Sequence, residues 1–174
     1  MVGRIRGCVM DESQAVHFRE ITEANRAAVE ALVVAPDQER YVRDVAGSLV
    51  EATEYGDARP RFWALYDVDT PVGFVMISDG ITPADMQRKG YLGPYYLWRL
   101  LIDRDHQRRG YGTAAIRLVV AYLRASRPDA HTLITSCQPG PLTPVPFYLG
   151  LGFQDTGEIH DGEAVLTLGI NAGR

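Results

Sequence analysis

The chain has 174 residues, 46% of them hydrophobic and 23% charged, and a formal net charge of −4. That length suits one domain with its own core, and the composition is that of a soluble globular protein, expected to be cytoplasmic because residues 1–10 lack an apolar core of signal-peptide length. Mild acidity argues against a nucleic-acid partner, which usually meets a basic face. No apolar run approaches the roughly 18 residues of a membrane span, so no membrane partner is expected either. Cys8 and Cys137 are too few for a disulfide framework and read as reduced thiols. His17, His106, His131 and His160 are scattered without paired metal-ligand spacing, so no metal is expected.

Residues 16–21 alternate apolar and polar side chains and predict a half-buried strand. It opens a single domain over 16–174, with 1–15 as a flexible leader. Thr22 has the character of a helix N-cap, with helix continuing over 25–32. Pro36 starts a second helix that carries Tyr41, Val45, Leu49 and Ala52 at helical spacing and breaks at 56–60. Residues 62–66 and 72–77 flank a turn and predict a hairpin. A polar connection bearing glycine and proline fills 79–94. Residues 95–102 form a long strand. Residues 112–125 form an amphipathic helix with Ala115, Leu118, Val119, Tyr122 and Leu123 on its inner side. Then come a strand at 132–137, a proline-rich loop at 138–146 and a short helix at 147–153. Strands at 156–159 and 164–168 pair around an Asp161-Gly162 turn. The class is α/β (α+β): a mixed twisted sheet of about six to seven strands with about four helices.

The most informative stretch joins the long strand to the long helix: Gln107-Arg108-Arg109-Gly110-Tyr111-Gly112. The first N–H groups of a helix lack internal partners, and the helix dipole is positive there. Two glycines let an anion approach the backbone and two arginines add charge, which suits a pyrophosphate. A bare Gly-x-Gly after a strand also occurs as a helix start with no ligand. A dinucleotide fold would carry its glycines after an early strand, and a Walker loop would need Gly-Lys-Ser/Thr.

The glycine turn resembles the Q/R-x-x-G-x-G/A signature of the GCN5-related N-acetyltransferase (GNAT) family. Phe147-Tyr148-Leu149-Gly150-Leu151-Gly152-Phe153 is similar to that family's F-Y-x-x-x-G-F segment, and the order of elements is similar too. Gln38-x-x-Tyr41-Val42, Pro71-Val72-Gly73-Phe74 and Leu97-Trp98-Arg99-x-x-Ile102-Asp103 look most like bacterial spermine/spermidine-type amine acetyltransferases. The resemblance implies acetyl-CoA as co-substrate. Backbone N–H groups of Gln107, Arg108, Arg109, Gly110, Tyr111, Gly112 and Thr113 would hold its pyrophosphate, with the arginine side chains assisting or lining the rim. Leu101 and Ile102 would pair by backbone with the pantetheine arm and point an N–H at the acetyl carbonyl, where a donor stabilises the oxyanion. Tyr148 would protonate the departing thiolate. A simple thiol has a pKa of about 8.5, within reach of a weak acid such as tyrosine. Taken alone, Tyr148 reads as a core tyrosine on a short helix.

Two departures from the family pattern bear on the chemistry. Where many members carry Asn-x-x-Ala before the Phe-Tyr pair, this chain has Gln138-Pro139-Gly140-Pro141-Leu142-Thr143-Pro144-Val145-Pro146. Each proline fixes φ and removes a donor, so the loop is more rigid and no replacement for the asparagine is assigned. Some polyamine acetyltransferases use a glutamate on the strand before the glycine turn, where this chain has Leu97-Trp98-Arg99. An alkyl amine with a pKa of about 10 must lose a proton before attack. Asp79, Asp103, Glu158 and Glu163 are the candidate bases, beside a water chain to bulk. Tyr91, Tyr95, Tyr96 and Trp98 read equally as strand core or as walls of a cation-holding acceptor pocket, bordered by Glu51, Glu54 and Tyr55. The expected activity is acetyl transfer from acetyl-CoA to the primary amine of a small molecule, polyamine or similar, by direct attack in a ternary complex. An antibiotic or protein amine as acceptor, and a CoA-binding module without catalysis, are the alternatives. The family also implies a homodimer.

Overall fold

The computed structural model describes residues 16–170; the leader expected over 1–15 lies outside them. The strands are β1 (Val16–Arg19), β2 (Pro60–Asp67), β3 (Thr70–Asp79), β4 (Tyr95–Ile102), β5 (Thr132–Cys137), β6 (Gln154–His160) and β7 (Glu163–Gly169). The helices are α1 (Arg26–Glu30), α2 (Val45–Glu54), α3 (Pro83–Lys89), α4 (Tyr111–Ser126) and α5 (Val145–Gly150). All seven strands form one sheet in the order β1-β2-β3-β4-β5-β7-β6. Neighbours are antiparallel except β4 and β5, which are parallel.

Three local expectations change. Thr22 caps nothing with its side chain; Asn25 holds the N-cap position of α1, and its Oδ1 accepts the Thr22 N–H at 2.8 Å. The helix expected from Pro36 onward splits into a 3₁₀ turn, Pro36–Gln38, and α2. Asp44 starts α2 by accepting the Gly47 N–H at 2.6 Å, because an aspartate there satisfies an otherwise orphaned donor. The connection at 79–94 contains α3, with Thr82 as N-cap, Pro83 in its first turn and left-handed Gly90 ending it.

Helices cover both faces of the sheet. Val75 and Ile77 of β3 pack toward α4 with Val119 and Leu123, while Phe74 and Met76 pack toward α1 and α2 with Val29, Val45 and Leu49. This is the period-two alternation of a strand buried on both sides. Along β4 the alternation breaks. Ile77 sits opposite Leu97 and Met76 opposite Arg99, so Trp98 is an extra residue, a β-bulge. Tyr95 and Leu97 face α4 before the bulge, and Leu100 and Ile102 face α4 after it. Trp98 and Leu101 pack on the α1–α2 side. A bulge bends its strand, and β4 shares a single register pair with β5, Tyr96 with Ile134. Beyond that pair the two strands separate and leave a gap through the sheet.

Candidate active site

A cleft of about 960 Å³ fills the gap. Gly112, Phe147 and Tyr148 line it from the α4–α5 face, and Tyr41, Arg43 and Glu51 from the α1–α2 face. The β5-facing edge of β4 has no strand partner past Tyr96. Side chains satisfy some of its carbonyls: Trp98 O accepts from Arg99 Nη1 at 2.8 Å and Ile102 O from Gln107 Nε2 at 3.0 Å. An extended ligand with its own amides can pair with groups left open on such an edge.

At the end of β4, Gly110 takes φ +84° and no side chain caps α4. The first-turn N–H groups of Tyr111, Gly112 and Thr113 therefore lack intrahelical partners, and all three residues line the cleft. The two glycines are required for different reasons. A Cβ on Gly110 would meet nothing within 4 Å, so its left-handed backbone alone favours glycine. A Cβ on Gly112 would lie 3.0 Å from Phe147 Cζ, so there the constraint is space. Arg108 is also left-handed, at φ +61°, and lines the cleft. Gln107 Nε2 donates to Gln38 Oε1 at 2.7 Å, tying the 3₁₀ turn to the end of β4.

Tyr148 is 7% exposed, its ring edge-on to Phe147 and Phe153 with centroids 5.1 Å away in each case. Burial pushes its hydroxyl well above the ordinary tyrosine range, and a hydrogen bond with Thr135 offsets this only in part. The hydroxyl is therefore protonated at neutral pH. Cys137 shares the cleft wall. Burial, then the charges of Glu163 and Asp155, push its thiol up to about 12, so it carries almost no thiolate.

On the opposite face Glu51 is clamped between two arginines, accepting from Arg99 Nη2 at 2.5 Å and Arg43 Nη1 at 2.7 Å. Tyr41 Oη accepts the Leu142 N–H at 3.3 Å, so the chain after the 3₁₀ turn is latched to the proline-rich loop. A second cavity of about 340 Å³ shares Tyr96, Trp98, Ser136 and Glu163 with the cleft. Tyr55, Tyr91 and Asp161 also line it.

The profile of the Acetyltransferase (GNAT) family matches residues 37–153. The chain is a member of the GNAT acetyltransferase family. As such it is an acyl-CoA-dependent N-acetyltransferase. It is 28% identical, over 87% of its own length and 97% of theirs, to two curated relatives. One is named a probable spermine N(1)-acetyltransferase of Bacillus subtilis subsp. natto, the other a spermine/spermidine N(1)-acetyltransferase of Bacillus subtilis. In fold this GNAT acetyltransferase is similar to the aminoglycoside acetyltransferase AAC(6')-Ib crystallised with coenzyme A. The TM-score is 0.68 at 18% identity, covering 89% of this chain and 95% of that one. An acetyltransferase from Thermus thermophilus aligns with a TM-score of 0.63 at 19% identity, over 88% and 96% of the two chains.

Of the residues expected to hold the acyl-CoA, the GNAT acetyltransferase places Ile102, Gln107, Arg108, Gly110, Tyr111, Gly112 and Thr113 on the cleft wall, with Tyr148 across from them. The Arg109 side chain is exposed, outside the lining, and the Leu101 side chain is buried among Phe74, Met76 and α2. The candidate bases separate cleanly. Asp79 lies under Arg127, which donates from Nε at 2.8 Å and Nη2 at 2.6 Å, and Tyr122 Oη donates at 2.7 Å. Burial pushes its carboxyl up, but these bonds and the charges of Arg127 and Arg61 outweigh that and hold it below the usual range. Burial likewise opposes, and N–H groups of Val33 and Asp105 with His106 prevail in, holding Asp103 low. It is a turn-building residue, accepting the Val33 N–H at 3.0 Å. Glu158 is exposed on β6; Glu163 faces both cavities. Of the aromatic cluster, Tyr96 and Trp98 line both cavities and Tyr91 the second, while Tyr95 packs in the α4-side core. Glu54 lines neither cavity. Ser136 and the Tyr41–Leu142 latch were not foreseen; the only hint of Ser136 is a small polar residue set between buried Thr135 and Cys137 in β5. Among the described residues no group of three or more His, Cys, Asp or Glu could hold a metal ion, and no helix is long and apolar enough to cross a membrane.

Proposed function

We propose that the protein moves an acetyl group from acetyl-CoA to the primary amine of a small molecule, polyamines first, by direct attack within a ternary complex. One observation carries this reading: the gap between β4 and β5 is lined from both faces of the sheet. A thioester held from the α4–α5 side and an amine entering from the α1–α2 side meet inside it. The open N-terminus of α4 and Arg108 hold the pyrophosphate; a charge at a helix end is worth about 0.3–1 kcal/mol, up to about 2 when partly buried. The β4 edge at Leu101 and Ile102 takes the pantetheine arm. Tyr148, which burial keeps protonated and makes a weaker acid than a free tyrosine, gives its proton to the leaving thiolate as it takes one from the reacting nitrogen. Cys137 remains a thiol, which supports direct attack over an acylated cysteine. The second cavity offers a cation the rings of Tyr55, Tyr91 and Trp98 and the carboxylate of Asp161, while Lys89, paired with Asp57, and His160 also stand on its walls. The names of the Bacillus relatives support a polyamine.

Thiol release from acetyl-CoA, measured with spermine, spermidine, ribostamycin and a peptide with a free N-terminus, tests the reading. The expected result is the highest kcat/KM for spermine or spermidine. Turnover confined to ribostamycin or the peptide would move the acceptor to that class. A melting temperature raised by CoA with no thiol released by any amine would make the protein a binding module.

A further inference from the structure

Three groups stand in a hydrogen-bonded row where the cleft meets the second cavity. Tyr96 Oη and Ser136 Oγ are 2.6 Å apart, and Ser136 Oγ donates to Glu163 Oε2. A carboxylate can only accept, and a serine has one proton to give. That proton points at Glu163, so Tyr96 is the donor to Ser136. Every O–H in the row therefore points toward Glu163, and the Tyr96 oxygen keeps acceptor capacity for a donor in the cleft. Three strands build this row: Tyr96 lies on β4, Ser136 on β5 and Glu163 at the start of β7. Tyr96 sits at the last β4–β5 pair, just where the strands part.

We propose that Tyr96, Ser136 and Glu163 form a proton relay that receives the ammonium proton of the acceptor. The proposal rests on the acetyl-transfer reading above. In the relay an N–H bond of the ammonium breaks and its proton joins the Tyr96 oxygen. The proton Tyr96 held passes to Ser136, and the one Ser136 held passes to Glu163 Oε2. Both hydroxyls end protonated but turned toward the cleft, the amine is neutral and Glu163 is a carboxylic acid; once Glu163 has lost its proton the two hydroxyls rotate back. Forming the amide removes a second proton from nitrogen, which replaces the one Tyr148 gives to the thiolate. Glu163 borders the second cavity and returns its proton to water there. The competing carboxylates are engaged: Asp79 by Arg127, Asp103 by backbone N–H groups, Glu51 by Arg43 and Arg99. The charged and titratable groups around the row are Arg99 from β4, Cys137 from β5, Tyr148 from α5, Lys89 from the end of α3, Tyr91 from the loop after it, His160 from β6 and Asp161 from the turn before β7.

The test is kcat/KM for spermidine against pH in the wild type, Glu163→Gln, Ser136→Ala and Ser136→Thr, with acetyl-CoA affinity and melting temperature measured on each. Glu163→Gln is expected to lose about 10²–10⁴ in turnover at neutral pH, the usual worth of a general base. It should then regain about tenfold per pH unit as the free amine becomes available, toward a pKa of about 10. Ser136→Ala should behave alike, while Ser136→Thr, which keeps the hydroxyl, should retain most activity. A damaged fold would instead lower activity equally at every pH and shift acetyl-CoA affinity. A Glu163→Gln protein as active as wild type, or one whose loss is independent of pH, overturns the relay and leaves the acetyl-transfer reading intact. A wild type that acetylates neither spermidine nor any other amine overturns both.

Discussion

Gly110→Ala isolates what one backbone conformation contributes to the proposed acetyl-CoA site. The residue has φ +84°, and a Cβ there would meet nothing within 4 Å. Alanine brings no clash, so its whole effect is the left-handed penalty, about 1–2 kcal/mol for a residue with a Cβ. Where the variant keeps the native turn, folding stability falls by that amount. At about 2–4 °C per kcal/mol for a chain of this size, the melting temperature drops by about 2–8 °C. Where the turn relaxes and is restored only on binding, the penalty moves to the ligand, and the Kd for CoA rises about 5–30-fold. The two losses together are bounded by about 2 kcal/mol. Titration calorimetry with CoA and thermal melts by circular dichroism measure both parts. Gly110→Asn should lose less, because asparagine tolerates the left-handed region. Gly112→Ala supplies the contrast: that glycine has no positive φ, and its Cβ would press on Phe147 Cζ at 3.0 Å. Its loss should shrink when Phe147 is also shortened to leucine, whereas the Gly110→Ala loss should not. Gly110→Ala with Kd and melting temperature both unchanged, or asparagine as damaging as alanine, would refute the backbone argument.

Tyr148→Phe keeps the ring packed against Phe147 and Phe153, so acetyl-CoA KM should hold while kcat falls by about 10²-fold or more; an unchanged kcat would remove Tyr148 from the chemistry. Asp79 has a folded pKa below its unfolded value of about 3.9, so its contribution is present above that pH and is lost as pH falls through the folded value. Asp79→Asn should cost about 2–3 kcal/mol at pH 7, less than a fully buried pair, because the Arg127 side chain is 34% exposed. The melting-temperature gap to wild type should narrow below about pH 4, and a gap constant with pH would contradict the assignment. Tyr41→Phe deletes the 3.3 Å bond to the Leu142 N–H, worth about 0.5–1.5 kcal/mol. Stopped-flow release of acetyl-CoA should quicken by roughly 2–10-fold, with the melting temperature lowered by no more than about 6 °C, and an unaltered release rate would show that the bond is no latch.

The legible parts of this protein are those whose causes are local. The glycine turn is one, since an αL glycine at a helix start is a property of a few consecutive residues. The Phe147–Phe153 segment and the order of strands and helices are others, because apolar spacing repeats within each element. Even the misread boundaries had local signals: Asp44 ahead of Val45, and Thr82-Pro83 ahead of Asp85, are helix-start residues that the hydrophobic spacing overrode. The Trp98 bulge had none. Tryptophan is a good strand residue, and a bulge is a relation between two strands, visible only once Ile77 and Met76 are set against Leu97 and Arg99. The same holds for the chemistry on the acceptor side. Tyr96 and Ser136 are 40 residues apart, Ser136 and Glu163 27, Glu51 and Arg99 48. By itself the sequence determined the family, the fold class and the turn where a pyrophosphate is expected, because short-range sterics and periodicity specify them. Only the tertiary structure decided that Asp79 and Asp103 are structural, that Glu51 is neutralised and that Glu163 faces the gap. A carboxylate's role depends on which donors surround it, and those donors arrive from other strands.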